Sequence, residues 1–302
     1  MLRRIRCGLI TSLTFLTALS VFEAQAQTAE PNAADAGASL LGSMDWWEDG
    51  LSEMCYYDAE ETIYGKKRQF TRVQLVNRQW MDRVAGVKTS KDADEAIPVL
   101  KFNIAEEIPT ENYNYRYLTT VFVRRDTLEP FKMVTSSQEW CGTTFKHLRW
   151  GSSRMELKCF SYFDGEGDVT FGLEREVFPF EVLPILARGV VADGKERHLK
   201  VLVPMRGTHL VQPTVREIRL GVDPSSKSSK PRKTKAGVFN VRRVIASAGD
   251  GEIAWFDVEA DAPHRLIAFM AGGVSGELKH FEKRPYWDRS NTSSYHAVGA
   301  AP

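Results

Sequence analysis

The chain has 302 residues, with 40 basic against 39 acidic side chains and a formal net charge of +1. Charged residues make up 26% and hydrophobic residues 43%, so there is no global pull toward nucleic acid or an anionic membrane, and there is enough apolar mass for a large core. Any charged binding surface must therefore be local.

At the N-terminus Arg3, Arg4 and Arg6 precede an apolar run from Leu9 to Phe22, and Ala24-Gln25-Ala26 puts small residues where a signal peptidase reads them. Residues 1–26 are expected to be a signal peptide cut after Ala26. The alternative is an uncleaved anchor, but the run is short of the ~20 residues a span needs and is diluted by Thr11, Ser12, Thr14, Thr17 and Ser20. Arg3-Arg4 lacks the flanking pattern of a twin-arginine signal, and Cys7 lies before the apolar run, outside any lipobox position. No later segment is long and apolar enough for a stable membrane span, so the expected location is the periplasm or the outside of the cell. Residues 27–43, rich in Ala, Asn, Asp and Gly, are expected to be a disordered lead-in. Residues 44–288 are expected to form one β domain and 289–302 a disordered tail.

Within that domain, runs rich in Val, Ile, Thr and aromatics between Gly and Pro breaks predict strands at Glu53 to Ile63, Gln69 to Met81, Pro98 to Glu106 and Tyr115 to Arg125. Phe131 to Gly142, Thr143 to Trp150, Arg154 to Phe163 and Val169 to Leu173 follow. Phe178 to Arg188 has no clean period of two, contains Pro179 and Pro184, and predicts a short helix or buried connector. Strands resume at His198 to Met205, Thr214 to Val222, Phe239 to Ala246, Glu252 to Glu259, Arg265 to Met270 and Gly276 to Phe281. Between the second and third of these lies a basic stretch at 224–236, with Lys227, Lys230, Arg232, Lys233 and Lys235 among Ser and Pro and no aromatic. It is expected to be a flexible solvated loop; nucleic-acid or anionic-lipid binding is the sharper alternative, and it lacks stacking residues. Many short strands, Gly-rich turns and one connector helix predict an all-β, curved or incompletely closed antiparallel barrel.

Export permits disulfides, and Cys55, Cys141 and Cys159 remain after cleavage, so at most one pair can form within the chain. Trp140-Cys141-Gly142 resembles a redox motif only superficially, since no second Cys follows and the context is a strand. If the strand before Cys141 runs straight into the next, Cys141 faces Tyr162 or Phe163. At ~3.3 Å per residue it then misses Cys159 by ~10–13 Å, beyond the ~7 Å limit for a bridge. A bend at Gly142 would bring the two together, and a pair using Cys55 is equally open. Period-two counting also puts Cys159 with Met155, Leu157 and Phe163 on an apolar face, as a buried inert thiol.

Catalytic constellations are thin. The six histidines are scattered without metal-ligand spacing, and no nucleophile elbow, phosphate loop or Rossmann glycine run appears. Asp164, Glu166 and Asp168 alternate like calcium ligands but lack the glycine order and distal Glu of such a loop, so a hairpin turn is expected. No metal or other cofactor is expected. Two polar clusters remain: Ile108 to Tyr115, and Ser136 to Thr144. Period two places Glu139 on one face with Met133, Ser137 and Cys141, and Trp140 on the other. If that first face is interior, Glu139 needs a partner such as Arg116 or Arg124. The candidate ligand-binding residues are Asn112, Tyr115, Glu139, Trp140 and Cys141.

These same residues carry a resemblance. Ile108-Pro-Thr-x-Asn-Tyr-x-Tyr, Leu118-Thr-Thr-Val-Phe and Ser136-Ser-Gln-Glu-Trp-Cys-Gly-x-Thr-Phe145 resemble a family of uncharacterised exported bacterial proteins with a Ser-Gln-Glu-Trp-Cys-Gly block, over Trp46 to Trp150. The resemblance implies no known activity. The C-terminal half, with Gly237-Val-Phe-Asn-Val-Arg, Ile253-Ala-Trp-Phe-Asp-Val-Glu, His264-Arg-Leu-Ile and Gly276-Glu-Leu, is loosely similar to the half-barrel of periplasmic lipoprotein carriers, from which the longer N-terminal half departs. The expected function is a non-catalytic envelope module that binds a lipidic or lipoprotein ligand, or an envelope protein, on a concave β surface. A hydrolase using Glu139 with a neighbour from the Asn112 to Tyr115 loop, and a purely structural or interaction protein, are the alternatives.

Overall fold

A computed structural model of the chain describes residues 39–288, apart from 211, 227 and 250. The expected signal peptide, most of the expected lead-in and the expected tail lie outside the described residues. The chain enters through α1 (Leu40–Ser43) and a 3-10 turn at Asp45–Trp47. Eight strands follow as an antiparallel meander: β1 (Ser52–Ile63), β2 (Lys66–Asp82), β3 (Ala96–Ile108), β4 (Tyr115–Arg124), β5 (Pro130–Glu139), β6 (Gly142–Trp150), β7 (Arg154–Ser161) and β8 (Val169–Glu174). The short β9 (Val177–Pro179), a 3-10 turn at Phe180–Val182 and α2 (Leu183–Asp193) lead to β10 (Arg197–Leu202) and β11 (Val215–Val222). The rest is β12 (Lys230–Thr234), β13 (Gly237–Ala248), β14 (Gly251–Glu259), β15 (Leu266–Ala271) and β16 (Val274–Arg284).

All sixteen strands belong to one sheet, in which β1 pairs antiparallel with β16 and so joins the first half of the chain to the last. Only β9 and β10 run parallel among the described pairs. The sheet curls into a barrel with one unsealed seam, bordered by β8 and β9. The alternation that predicts the strands also orients them: along β4, Tyr115, Tyr117, Thr119, Val121 and Val123 are buried while the residues between them are more exposed.

The interior is filled with chain. Every residue from Leu183 to Val191 of α2 is buried, as expected for a helix with no polar face, which can sit only inside a core. It packs against α1, β11, β13 and β14, and a Cβ at Gly189 would come within 2.8 Å of the Leu128 side chain, which would have to shift to admit it. The expected connector helix is present. It lies inside the curl of the sheet, so a concave surface for a ligand is left to the rim of the barrel.

Three expectations are corrected. Residues 39–43 of the lead-in are ordered: they include α1, whose Leu41 is buried and accepts a 2.7 Å bond from Trp47 Nε1. Within 224–236 there is a 3-10 turn at Pro224–Ser226, and β12 pairs with β13. Arg232 pairs with Asp257 and Glu277, and Lys235 with Asp58 at 2.6 Å, so two of the cations of this stretch are engaged by acids of the same domain. Finally, the stretch through Cys141 is not one long strand. Glu139 pairs with Gly142, so Trp140 and Cys141 form a two-residue hairpin turn.

At the end of the barrel near α1, the helix is fastened by charge. Arg188 of α2 donates to both Glu53 carboxylate oxygens, at 2.6 and 3.1 Å, and to the Pro263 carbonyl at 3.0 Å, with all of these groups buried. Trp46 Nε1 donates to Glu53 at 2.9 Å, and the guanidinium lies over the Trp47 ring at 5.3 Å. Burial works against the Arg188 charge, but Glu53 outweighs it and holds the guanidinium pKa above its ordinary value. Arg188→Met leaves Glu53 buried without its cation, so urea unfolding is expected to show a loss of ~3–5 kcal/mol. Glu53→Leu/Arg188→Met, which removes both charges, is expected to recover most of it; equal losses in the single and double variants would contradict the coupling.

Candidate functional site

The opposite end carries the candidate site. The β1–β2 turn Tyr64-Gly65, the β3–β4 loop, the β5–β6 turn, the β7–β8 loop and the β15–β16 turn share this rim, as the pairing of Glu61 with both Arg68 and Val274 requires of the first and last. The connection between β10 and β11 lies across it. Tyr64 and Gly65 both have positive φ, 51° and 72°, which suits a tight two-residue hairpin and sends the Tyr64 side chain over the rim.

The β10–β11 connection is held by groups on the barrel's inner face. Lys146 of β6 is 1% exposed, and its Nζ donates to the carbonyls of Met205, Gly207 and His209 at 2.9, 3.1 and 2.9 Å. Glu181 accepts from the Met205 and Arg206 amides at 2.6 and 2.8 Å. Burial lowers the Lys146 pKa and raises that of Glu181. Arg206 binds Glu106 and, at 3.0 and 2.7 Å, Glu61; Arg72 reaches Glu106 at 2.8 Å. At the outer edge Glu166 accepts from the Leu210 amide at 2.9 Å and meets His209 Nδ1 at 2.7 Å. Of the alternating acids Asp164, Glu166 and Asp168, it is Glu166 that clamps the connection, and no cluster of metal-ligating residues occurs among the described residues.

Glu139 lies where period two puts it, beyond buried Met133, Thr135 and Ser137 on the inner face of β5. Its partner is not arginine. Arg116 pairs with Glu107 and Arg124 with Asp126, whereas Glu139 accepts from the Thr208 hydroxyl at 2.5 Å and from Ser137 at 3.4 Å. Thr208 in turn shares a 3.1 Å bond with the Tyr117 hydroxyl. No histidine, lysine or second carboxylate bonds to Glu139 among the described residues.

Beside Glu139 runs a line of rings. The Tyr64 and Tyr115 hydroxyls share a 2.6 Å bond. Tyr115 lies 5.6 Å from Tyr113, and Tyr113 stacks on Trp140 at 5.8 Å with 23° between planes. Tyr113 donates to Cys141 Sγ at 2.7 Å. That bond, with burial adding to it, pushes the Tyr113 phenol up to about 12. Burial and the bonds to Tyr64 and Tyr113 raise Tyr115 further. Both phenols therefore stay protonated across the physiological range and act as neutral hydrogen-bonding groups, not bases.

Of the five residues chosen from sequence, Tyr115, Glu139, Trp140 and Cys141 converge on this rim; Asn112 is exposed on the β3–β4 loop, with no bond to the cluster. Tyr113 and Ser137 fall within the two polar clusters read from sequence, whereas Tyr64, Lys146, Arg206 and Thr208 were not among the candidates. Lys146 was within reach, since it occupies an inward position between Thr144 and Leu148 on β6; Arg206 and Thr208 carry no local signal. A second feature of the rim is an apolar cleft of about 230 Å³ lined by Phe180, Val203, Pro204, Ile218 and Ile253, with Arg216 and the Gly272-Gly273 turn at its edge. Arg216 is exposed, and its side chain bonds to no described residue.

Cys55, Cys141 and Cys159 are all free, the first and last buried and Cys141 exposed. Burial pushes the Cys55 thiol up to about 12 and the Cys159 thiol up to about 11. Alkylation of the native protein is expected to modify Cys141 alone of these three, with Cys55 and Cys159 reacting only after unfolding; a Cys141–Cys159 bridge in non-reducing peptide maps would overturn this. For Glu106, burial raises the carboxyl pKa, but Arg72 and Arg206 outweigh it and hold it below its ordinary value. Its contribution to stability is therefore full above the unfolded value of ~4.3 and lost as pH falls through the folded one. Melting temperatures from about pH 7 to about pH 3 are expected to fall less steeply in Glu106→Gln than in the wild type; parallel curves would count against the assignment.

No family model matches the sequence, and no curated protein does. Among solved structures the chain is similar to a β-barrel-like protein of the domain of unknown function DUF1849 from Brucella abortus, with 12% identity and a TM-score of 0.46, over 77% of this chain and 97% of that one.

Proposed function

We propose that the chain is an exported, non-catalytic module of the cell envelope that binds a lipidic ligand at the rim of its filled barrel. The end of an acyl chain enters the cleft between Phe180 and Ile253, and an anionic head meets Arg216. The observation that carries this reading is the cleft itself, a concave apolar surface beside a cation without an ion-pair partner among the described residues. Its 230 Å³ is below the ~300–1,000 Å³ usual for an enclosed drug-sized ligand, so it takes a chain end and leaves the rest of the molecule outside. The neutral phenols around Glu139, and the lack of a second acid or base bonded to it, favour binding over hydrolysis. Export rests on the Arg3 to Ala26 pattern of the sequence.

The test is native mass spectrometry of the protein purified from its own envelope without added lipid. Wild type is expected to retain a lipid or acylated peptide, the measured mass telling the two apart. Ile253→Trp, which fills the cleft, is expected to lose it, and Arg216→Glu to lower occupancy, with unchanged melting temperatures. Wild type that emerges without any bound mass, or an Ile253→Trp variant that retains it in full, would overturn the proposal.

A further inference from the structure

The cleft does not account for the aromatic end of the rim. Trp140, at the tip of the β5–β6 turn, is 82% exposed, and Tyr162, whose ring lies against Gly142 at the base of the same turn, is 73% exposed. Such large rings in water are costly unless they serve a surface. The platform is also preformed. Tyr113 backs the indole in a near-parallel stack and is fixed by Cys141 at its hydroxyl and by Thr110, whose hydroxyl donates to its carbonyl at 2.6 Å. Gly142 is the residue that lets the second ring in, since a Cβ there would stand 2.7 Å from Tyr162 and 2.8 Å from Phe163.

The polar groups around the platform narrow the ligand. Glu139 Oε1 is occupied by Thr208 and Ser137, while Oε2 accepts no bond from a described residue. The nearby cations are already paired: Lys66 and Arg68 with Glu111, Arg116 with Glu107, and Arg206 with Glu61 and Glu106. A phosphate or carboxylate would find no free positive charge here and would meet Glu139. A flat face with C–H bonds on one side and hydroxyl or amide N–H donors at its edge fits both features, because it stacks on the indole and donates to the carboxylate. We propose that the Trp140–Tyr113 platform, with Glu139 at its margin, is a binding site for an uncharged pyranose oligosaccharide.

Isothermal titration of the full chain with two probes, chitotetraose and cellotetraose, tests it. Wild type is expected to bind at least one of them at millimolar or lower concentration. Trp140→Ala is expected to weaken binding tenfold or more, Trp140→Phe by only a few-fold, and Glu139→Gln severalfold, with melting temperatures unmoved by the exposed Trp140 substitutions. The proposal is overturned if wild type binds neither sugar, if Trp140→Ala binds as well as wild type, or if the protein ignores both sugars yet sediments with neutral phosphatidylcholine vesicles in a Trp140-dependent way. Because Ile253→Trp leaves this platform intact, it is expected to bind sugar normally, which separates this site from the lipid cleft.

Discussion

One buried ammonium group sets the geometry of the whole rim. Lys146 projects from the inner face of β6 and gathers three carbonyls of the β10–β11 connection, while Glu181 takes two amides from the same stretch. A connection without secondary structure that runs over the mouth of a barrel has no neighbouring strand to satisfy its backbone, and each unmet buried group costs about 1–3 kcal/mol. A donor side chain for the carbonyls and an acceptor side chain for the amides answer that need from opposite signs of charge. Once the connection is pinned, Arg206 falls between Glu61 and Glu106, and Thr208 falls against Glu139. The arrangement around Glu139 is thus downstream of how Lys146, on the next strand, holds a stretch some sixty residues further along the chain.

The other end uses the same device on a helix. Glu53 and Arg188 tie β1 to α2 where the apolar helix would otherwise be free to slide along an apolar wall. Burying such a pair adds little net stability, but it defines one depth and one rotation for α2, and α2 in turn occupies the volume that an empty barrel would have offered a ligand. The proposed binding surfaces consequently lie at the rim, where the chain is still irregular enough to carry both rings and a cleft.

Most of the architecture was legible because strand and turn chemistry agree along the chain. The period of two in β7 marks Cys159 as buried, and Pro184 with the broken period marks α2; in β5 it groups Glu139 with Met133 and Ser137 but leaves open whether that face or Trp140's is interior, which the structure decides for the face of Met133 and Ser137. What was not legible depends on distant partners. β9 has three residues, and β12 is rich in Lys and Arg, so both look like loop until Val177 meets Lys200 and Arg232 meets Asp257. The Trp140-Cys141 turn contains neither Gly nor Asn at its centre, and therefore reads as strand. Arg116 and Arg124 were plausible partners for Glu139 by proximity in sequence, yet both lie on alternate positions of β4 that face outward, where Glu107 and Asp126 take them. The filling of the barrel was missed for a related reason: an apolar helix signals burial without saying what surrounds it.

The pairing of β1 with β16 also has a consequence for how the chain is made. Ser52 lies opposite Arg284, so the strand that emerges first among the sixteen waits for the one that emerges last. Until β16 is released, the meander from β1 to β8 has an unpaired edge on either side, and α2 has no second wall to pack against. Contacts of such long sequence separation form slowly, and exposed edges invite pairing with other chains in the interval. The charges along β1 and β2, with Asp58, Glu60 and Glu61 facing Thr71, Gln69 and Arg68, make the growing edge polar during that wait. Biogenesis, rather than the finished barrel, is the stage at which this topology is most exposed to misassembly.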